Sequence, residues 1–150
     1  MNKIKVLIAD DHCILREGIR ALLEKQSDME VIGEAEDGRE AIEKTRKLRP
    51  DVVVMDIAMP RMDGLEAARQ IKAECPKTNV LALTMHENEE YLFHFLRAGG
   101  SGYVLKRATM TDLVSAIRSV YKGEAFLYPS TTKWLIEDYL RRGKEGEEKE

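Results

Sequence analysis

The sequence predicts an α/β fold in which five parallel strands form a doubly wound sheet with helices on both faces. Two observations predict it. Short continuous apolar runs alternate with stretches whose apolar residues recur at helical spacing, and five such units can be counted in the 150 residues. The third run, Val52, Val53, Val54 and Met55, is apolar at every position, as a central strand covered on both faces must be. Strands are expected at Ile4–Ala9, Met29–Ala35, 52–55, 80–84 and Gly102–Leu105.

Each intervening stretch carries one apolar stripe. Leu15, Ile19, Leu22 and Leu23 form the first, and Ala41, Ile42, Thr45 and Leu48 the second. Leu65, Ala68 and Ile71 precede a stop at Cys75 and Pro76; Leu92, Phe95 and Leu96 precede Gly99 and Gly100; Leu113, Ile117, Val120 and Tyr121 precede Gly123. Asp37 with Glu40, and Thr109 with Asp112, have the spacing of reciprocal helix caps. Beyond Gly123 the pattern breaks at Pro129, after which Ser130 or Thr131 caps one more amphipathic helix carrying Trp134, Leu135, Ile136, Tyr139 and Leu140. That helix is expected to end near Gly143. Residues 143–150 contain four Glu, two Lys and no apolar residue, the composition of a solvated linker or tail. The division expected is therefore one domain over residues 1–123, followed by a linker helix and charged tail over 124–150.

The formal charge of −3, from 24 basic and 27 acidic residues, offers no long-range attraction to a polyanion, so nucleic-acid binding by this chain alone is not expected. Its apolar runs fall far short of the ~20 residues that span a bilayer, and no secretory signal precedes the first strand. Cys13 and Cys75 lack metal-ligand spacing and suit free thiols in a reducing cytoplasm.

In an open parallel sheet, ligands bind beyond the carboxyl ends of the strands, where the strand order reverses. Those ends carry Asp10 and Asp11, Asp56, Thr84 and Lys106. With the first and third strands adjacent, three carboxylates converge beside a hydroxyl and an ammonium. Like charges ~4 Å apart repel by about 4 kcal/mol at an effective dielectric near 20, so a cation is implied. All-oxygen ligands suit Mg²⁺, with the backbone carbonyl of Ala58 as the candidate remaining protein ligand. Asp56 is then placed to attack a phosphoryl group whose oxygens meet Lys106 and Thr84.

These residues carry a resemblance. Asp10-Asp11, the stretch Met55-Asp56-Ile57-Ala58-Met59-Pro60 with Met62-Asp63-Gly64, Leu83-Thr84, and Gly102-Tyr103-Val104-Leu105-Lys106 resemble response-regulator receiver domains. Asp10-Asp11-His12, Arg16-Glu17-Gly18, Thr84-Met85-His86 and Ala98-Gly99 with Gly102-Tyr103 are similar to the NarL/LuxR subfamily of transcription regulators. The resemblance covers residues 3–123. It implies the flavodoxin-like strand order 2-1-3-4-5 and gives each residue a role. Asp56 is the phosphoacceptor, Asp10 and Asp11 are metal ligands, Lys106 binds phosphate, and Thr84 with Tyr103 is a switch pair. It implies a sensor histidine kinase as donor, a homodimer on phosphorylation, and DNA contact only through a helix-turn-helix output domain outside this chain; a stand-alone receiver acting through protein contacts is the alternative. The chain is then a signalling domain that supports its own phosphoryl transfer and dephosphorylation. Met85 is bulkier than the residue many receivers carry there, so slow loss of phosphate is expected. His12 and His94 read as surface or capping residues, and His86 as a residue at the rim.

Two rivals share the topology. A flavin protein would need a glycine- and hydroxyl-rich phosphate loop, and the Asp10-Asp11 pair would repel that phosphate. An aspartate-based phosphatase would place a second acid two residues beyond its nucleophile, where this chain has Ala58.

Overall fold

The structure is a computed structural model that describes residues 3–59, 62, 64–85 and 89–148, with side chains of the last helix described through residue 143. Pro60, Asp63 and His86 lie outside the described residues. In chain order the elements are β1 (Ile4–Ala9), α1 (Cys13–Glu24), β2 (Met29–Ala35), α2 (Gly38–Leu48), β3 (Val52–Asp56), α3 (Gly64–Glu74), β4 (Asn79–Thr84), α4 (Glu89–Arg97), β5 (Gly102–Leu105), α5 (Thr109–Tyr121) and α6 (Pro129–Glu148). A single 3₁₀ turn, Lys106–Ala108, joins β5 to α5.

The five strands pair in parallel in the order β2-β1-β3-β4-β5, as expected. Alternation along the strands divides the core in two. Ile4, Val6, Ile8, Val52, Val54, Leu81, Leu83 and Val104 face α1 and α5. Leu7, Ala9, Val53, Met55, Val80, Ala82, Tyr103 and Leu105 face α2, α3 and α4. Complete burial of a Leu or Ile side chain is worth about 1.5–3 kcal/mol, and both faces of β1 and β3 are sealed this way.

The predicted stripes bury their central members. Ile19, Leu23, Ala41, Ile42, Ala68, Ile71, Leu92, Phe95, Leu113, Ile117 and Val120 are core, while Leu48 and Tyr121 at the stripe ends are exposed. Asp37 caps α2 as its spacing predicts, accepting from the Glu40 amide at 2.9 Å. The Thr109 cap is not made. The 3₁₀ turn shifts the helix start, so Thr109 opens α5 and its hydroxyl donates backward to the Lys106 carbonyl at 2.8 Å.

The largest departures follow Gly123. Phe126 lies parallel beside β5, with its amide donating to the Ser101 carbonyl at 3.2 Å and its carbonyl accepting from the Tyr103 amide at 3.1 Å. A Cβ on Gly102 would stand 2.2 Å from the Phe126 carbonyl oxygen, so only glycine admits this neighbour. Helix α6 then starts at Pro129, whose missing N–H is no loss in a first turn. Neither Ser130 nor Thr131 is its cap, and Thr131 is wholly buried. The helix also does not end near Gly143 but runs to Glu148. Glu and Lys are good helix formers, and a glycine costs only about 1 kcal/mol; Asp138 further pairs with Arg141 and Arg142 at 2.6 and 2.9 Å.

Candidate functional site

The register of the central strands assembles the site. Ala9 pairs with Met55, so Asp10 and Asp56 leave β1 and β3 side by side, at the point where the strand order reverses. Thr84 and Leu105 pair at the ends of β4 and β5, which sets Lys106 immediately beyond. Asp10 and Asp56 are 0% and 1% exposed, and Thr84 is buried beside them at the sheet's carboxyl edge. Asp11 is exposed, and so is Ala58 in the loop that follows Asp56.

Lys106 reaches back across the edge, and its Nζ donates to Asp56 Oδ2 at 2.9 Å and lies 3.7 Å from Asp10 Oδ2. The other Asp56 oxygen, Oδ1, accepts from the Ala58 amide at 3.0 Å, which curls the loop over the carboxylate. Gly64 makes that loop fit: a Cβ there would stand 2.6 Å from Ile57 Cα and 2.9 Å from the Asp56 carbonyl. Tyr91 and Gly64 both donate to the Ile57 carbonyl, at 3.2 and 3.1 Å.

On the other side, Asp10 Oδ1 accepts from the backbone amide of His12 at 2.7 Å and lies 2.9 Å from His12 Nδ1. Arg16, buried in α1, donates to the Asp10 carbonyl at 2.5 Å and spends its charge on Glu34 and Glu36 instead of on the cup. Asp10 Oδ2 is buried and has no hydrogen-bond partner among the described residues. A buried carboxylate oxygen left in this state is costly. Three carboxylates against one ammonium give the cup a local charge of −3 + 1 = −2. A divalent cation would neutralise that sum and give Asp10 Oδ2 a partner, so the residues present fit a hard dication. One ligand atom each from Asp10, Asp11, His12 and Asp56 can be chosen so that all lie within 4.8 Å of one another.

The predicted residues Asp10, Asp11, Asp56, Thr84, Lys106 and Ala58 thus meet at one edge. Tyr103 stands apart from them. Its ring is 0% exposed, its hydroxyl lies 2.5 Å from the Thr131 hydroxyl of α6, and Tyr128 packs against it at 5.1 Å between centroids. Tyr128 also donates to Asp112 at 2.8 Å, and burial with this bond pushes its phenol up to about 12. Tyr128 is not singled out by sequence pattern, and Thr131 is marked there only as a candidate helix cap. The involvement of His12 in the cup also went unread, although its position next to two aspartates was the available signal.

A doubly wound sheet with an acidic, lysine-bridged cup at its strand ends belongs to the class of phosphate-handling α/β signalling domains. Comparison with known proteins gives the family. Residues 6–118 match the response regulator receiver domain, and the chain belongs to that family, in its NarL/LuxR branch. It is 40% identical over 147 residues to the transcriptional regulatory protein DegU of Brevibacillus brevis, covering 98% of this chain and 62% of that protein. To the oxygen regulatory protein NreC of Staphylococcus carnosus it is 44% identical over 138 residues, covering 91% of this chain and 64% of that one. The chain therefore spans less than two thirds of the length of these relatives. A LuxR-family two-component response regulator from Aurantimonas sp. SI85-9A1 superposes with a TM-score of 0.84 at 34% identity, covering 93% of this chain and 99% of that one. Receiver domains of this family are signalling rather than catalytic domains and bind Mg²⁺ at an acidic pocket. Response regulators of the family take phosphate from sensor histidine kinases and bind DNA through a separate output domain. Among the described residues no helix is long and apolar enough to cross a membrane.

Proposed function

We propose that this chain is a phosphorylation switch that accepts a phosphoryl group on Asp56 and, through an output domain outside it, controls DNA binding. The observation that carries the reading is the Asp56 carboxylate itself: buried, oriented by the Ala58 amide and Lys106, and set in a cup whose charge balance calls for a dication.

One carboxylate oxygen of Asp56 forms a bond to phosphorus while the bond to the donor's leaving group breaks, the donor being a histidine kinase or a small phosphodonor. Lys106, freed from Asp56, stays with the phosphate as its counter-charge, and the Thr84 hydroxyl donates to a phosphate oxygen. Mg²⁺, held by Asp10, Asp11, Asp56 and the Ala58 carbonyl, supplies charge neutralisation when bound. Hydrolysis of the acyl phosphate by water returns Asp56 to a carboxylate. The bulk of Met85, directly after Thr84, slows hydrolysis in this reading, and Met85→Ala should shorten the lifetime of the phosphorylated form.

Thr84 and Tyr103 act as the switch pair. The buried position of Tyr103, with its hydroxyl on Thr131 of α6, supports such a role, since it couples β5 to the last helix. Residues 1–123 constitute the receiver unit and 124–150 the linker helix, in a cytoplasmic protein that dimerises on phosphorylation. Incubation with Mg²⁺ and acetyl phosphate, followed by intact mass measurement, tests the reading. One phosphate-sized gain is expected in the wild type and none in Asp56→Asn; a gain that survives the substitution moves the acceptor elsewhere.

A further inference from the structure

The acidic cup contains a nitrogen donor that a set of oxygen ligands does not require. The backbone amide of His12 donates to Asp10 Oδ1 at 2.7 Å and turns the chain back on itself, which brings the imidazole over the two aspartates. Its Nδ1 then stands 2.9 Å from Asp10 Oδ1 and 3.3 Å from Asp11 Oδ1. Around an octahedral ion with bonds of about 2.1 Å, neighbouring ligand atoms are separated by about 3 Å and opposite ones by about 4.2 Å. The two His12 separations have the length of such edges, and the 4.8 Å span of the four-residue set is near the longer distance. Independently, Asp10 Oδ2 is a buried oxygen of the same cup with no hydrogen-bond partner among the described residues, its ion-pair neighbour Lys106 Nζ standing 3.7 Å away. The His12 side chain is 63% exposed, which leaves the ring room for a small rotation among the described residues.

We propose that His12 is a metal ligand of this cup, and that it tilts the site from Mg²⁺ toward transition-metal dications, for which Mn²⁺, the hardest of them, is the spectroscopic probe. Mg²⁺ prefers oxygen and keeps its water, whereas imidazole raises affinity for transition-metal dications. In the metal-free protein Nδ1–H donates to Asp10 Oδ1; on binding, the ring carries its proton on Nε2, toward solvent, and offers the Nδ1 lone pair to the ion. Asp10 Oδ1 correspondingly exchanges a hydrogen bond for a metal bond. The proposal rests on the reading that Asp10, Asp11 and Asp56 hold a dication, and it adds a specificity determinant to that site.

Pulsed electron paramagnetic resonance of the Mn²⁺-loaded chain tests it, because a directly bonded imidazole gives a ¹⁴N coupling that water and carboxylate do not. The wild type is expected to show that coupling. His12→Ala is expected to bind Mn²⁺ without it, and the preference for Mn²⁺ over Mg²⁺, read from competition titrations, should fall roughly tenfold. Far-ultraviolet circular dichroism of the variant reports that it is folded, and His12→Gln, which lacks the imidazole and can coordinate only through its amide oxygen, provides a second variant should the alanine variant fail. Mn²⁺ bound by the wild type with no ¹⁴N coupling, or an unchanged metal preference in the variant, overturns the role of His12 and leaves the carboxylate site standing. No Mn²⁺ binding by the wild type at all overturns the dication reading, and the ligand assignment falls with it.

Discussion

The cup at the strand ends and the seam between β5 and α6 are both made of buried polar side chains, but they treat those groups in opposite ways. In the cup, Asp10 and Asp56 share one lysine beside the third carboxylate, Asp11, and Asp10 Oδ2 has no hydrogen-bond partner among the described residues. In the seam, the Tyr103 and Thr131 hydroxyls, both wholly buried, satisfy each other at 2.5 Å. Tyr128 closes the seam's outer side, donating to Asp112 and accepting from the Leu105 amide at 3.4 Å. An unsatisfied polar group is stored capacity for a ligand, at the expense of stability; a satisfied pair fixes one packing. The cup is thus prepared to gain something, and the seam to hold something in place.

That contrast is broken most severely by opening the seam. Thr131→Val keeps the side-chain shape and removes the buried hydrogen bond between the Thr131 and Tyr103 hydroxyls, which should destabilise the fold by about 1–3 kcal/mol. Urea denaturation measures it. Removing both hydroxyls, in Thr131→Val with Tyr103→Phe, should recover most of the loss, because matched apolar groups of the same shape are nearly neutral. If the two single substitutions simply add, the pair is not the closed unit described.

The cup should respond in the other direction. Asp10→Asn keeps the shape and takes one charge out of a cluster whose net charge is −2. In metal-free buffer this variant should be more stable than the wild type, by about 1–2 kcal/mol, as expected where a binding site is held at a cost in stability. The stabilisation that added Mg²⁺ confers on the wild type should shrink or vanish with it. A variant less stable than the wild type in metal-free buffer would mean that the carboxylate of residue 10 is already well compensated by Lys106 and His12.

How much of each region could be read beforehand follows from the range of the signals. The cup's residues sit at the ends of continuous apolar runs, so finding the strands finds the carboxylates, and a parallel sheet brings the strand ends together. Asp37 is legible for a similar reason: a cap and its acceptor lie three residues apart. The seam has no such marker. Phe126, Leu127 and Tyr128 are too few to show a period, and their partner Gly102 is more than twenty residues away. Thr131 reads as a cap because Ser and Thr before an apolar stripe usually are caps, yet Pro129 moves the helix start and turns Thr131 into the core. The Thr109 cap failed the same way, displaced by a 3₁₀ turn that apolar spacing does not encode. His12 was read as a surface or capping residue, which its exposure supports; its two sequence neighbours Asp10 and Asp11 were the available signal, but that the ring folds back over them depends on the turn after β1.

The smallest effect concerns the outer edge of the seam and appears only in alkali. Burial, aided by the bond to Asp112, holds the Tyr128 phenol at about 12 in the folded chain, against an ordinary value of 10.0. Folding therefore favours the protonated ring. The corresponding stability is present in full below pH 10 and is lost as the pH rises through about 12. Tyr128→Phe lacks that proton, so its deficit relative to the wild type should narrow between pH 9 and pH 11.5. Because Tyr128 is only partly buried, solvent screening keeps the change modest, and the other tyrosines titrate in both proteins and cancel in the difference. Paired urea titrations at the two pH values give the comparison directly. A deficit that stays constant would mean the phenol is not held protonated by its surroundings, and that Tyr128 contributes to the seam through its ring alone, packed on Tyr103 at 5.1 Å and edge-on to Phe126 at 5.8 Å.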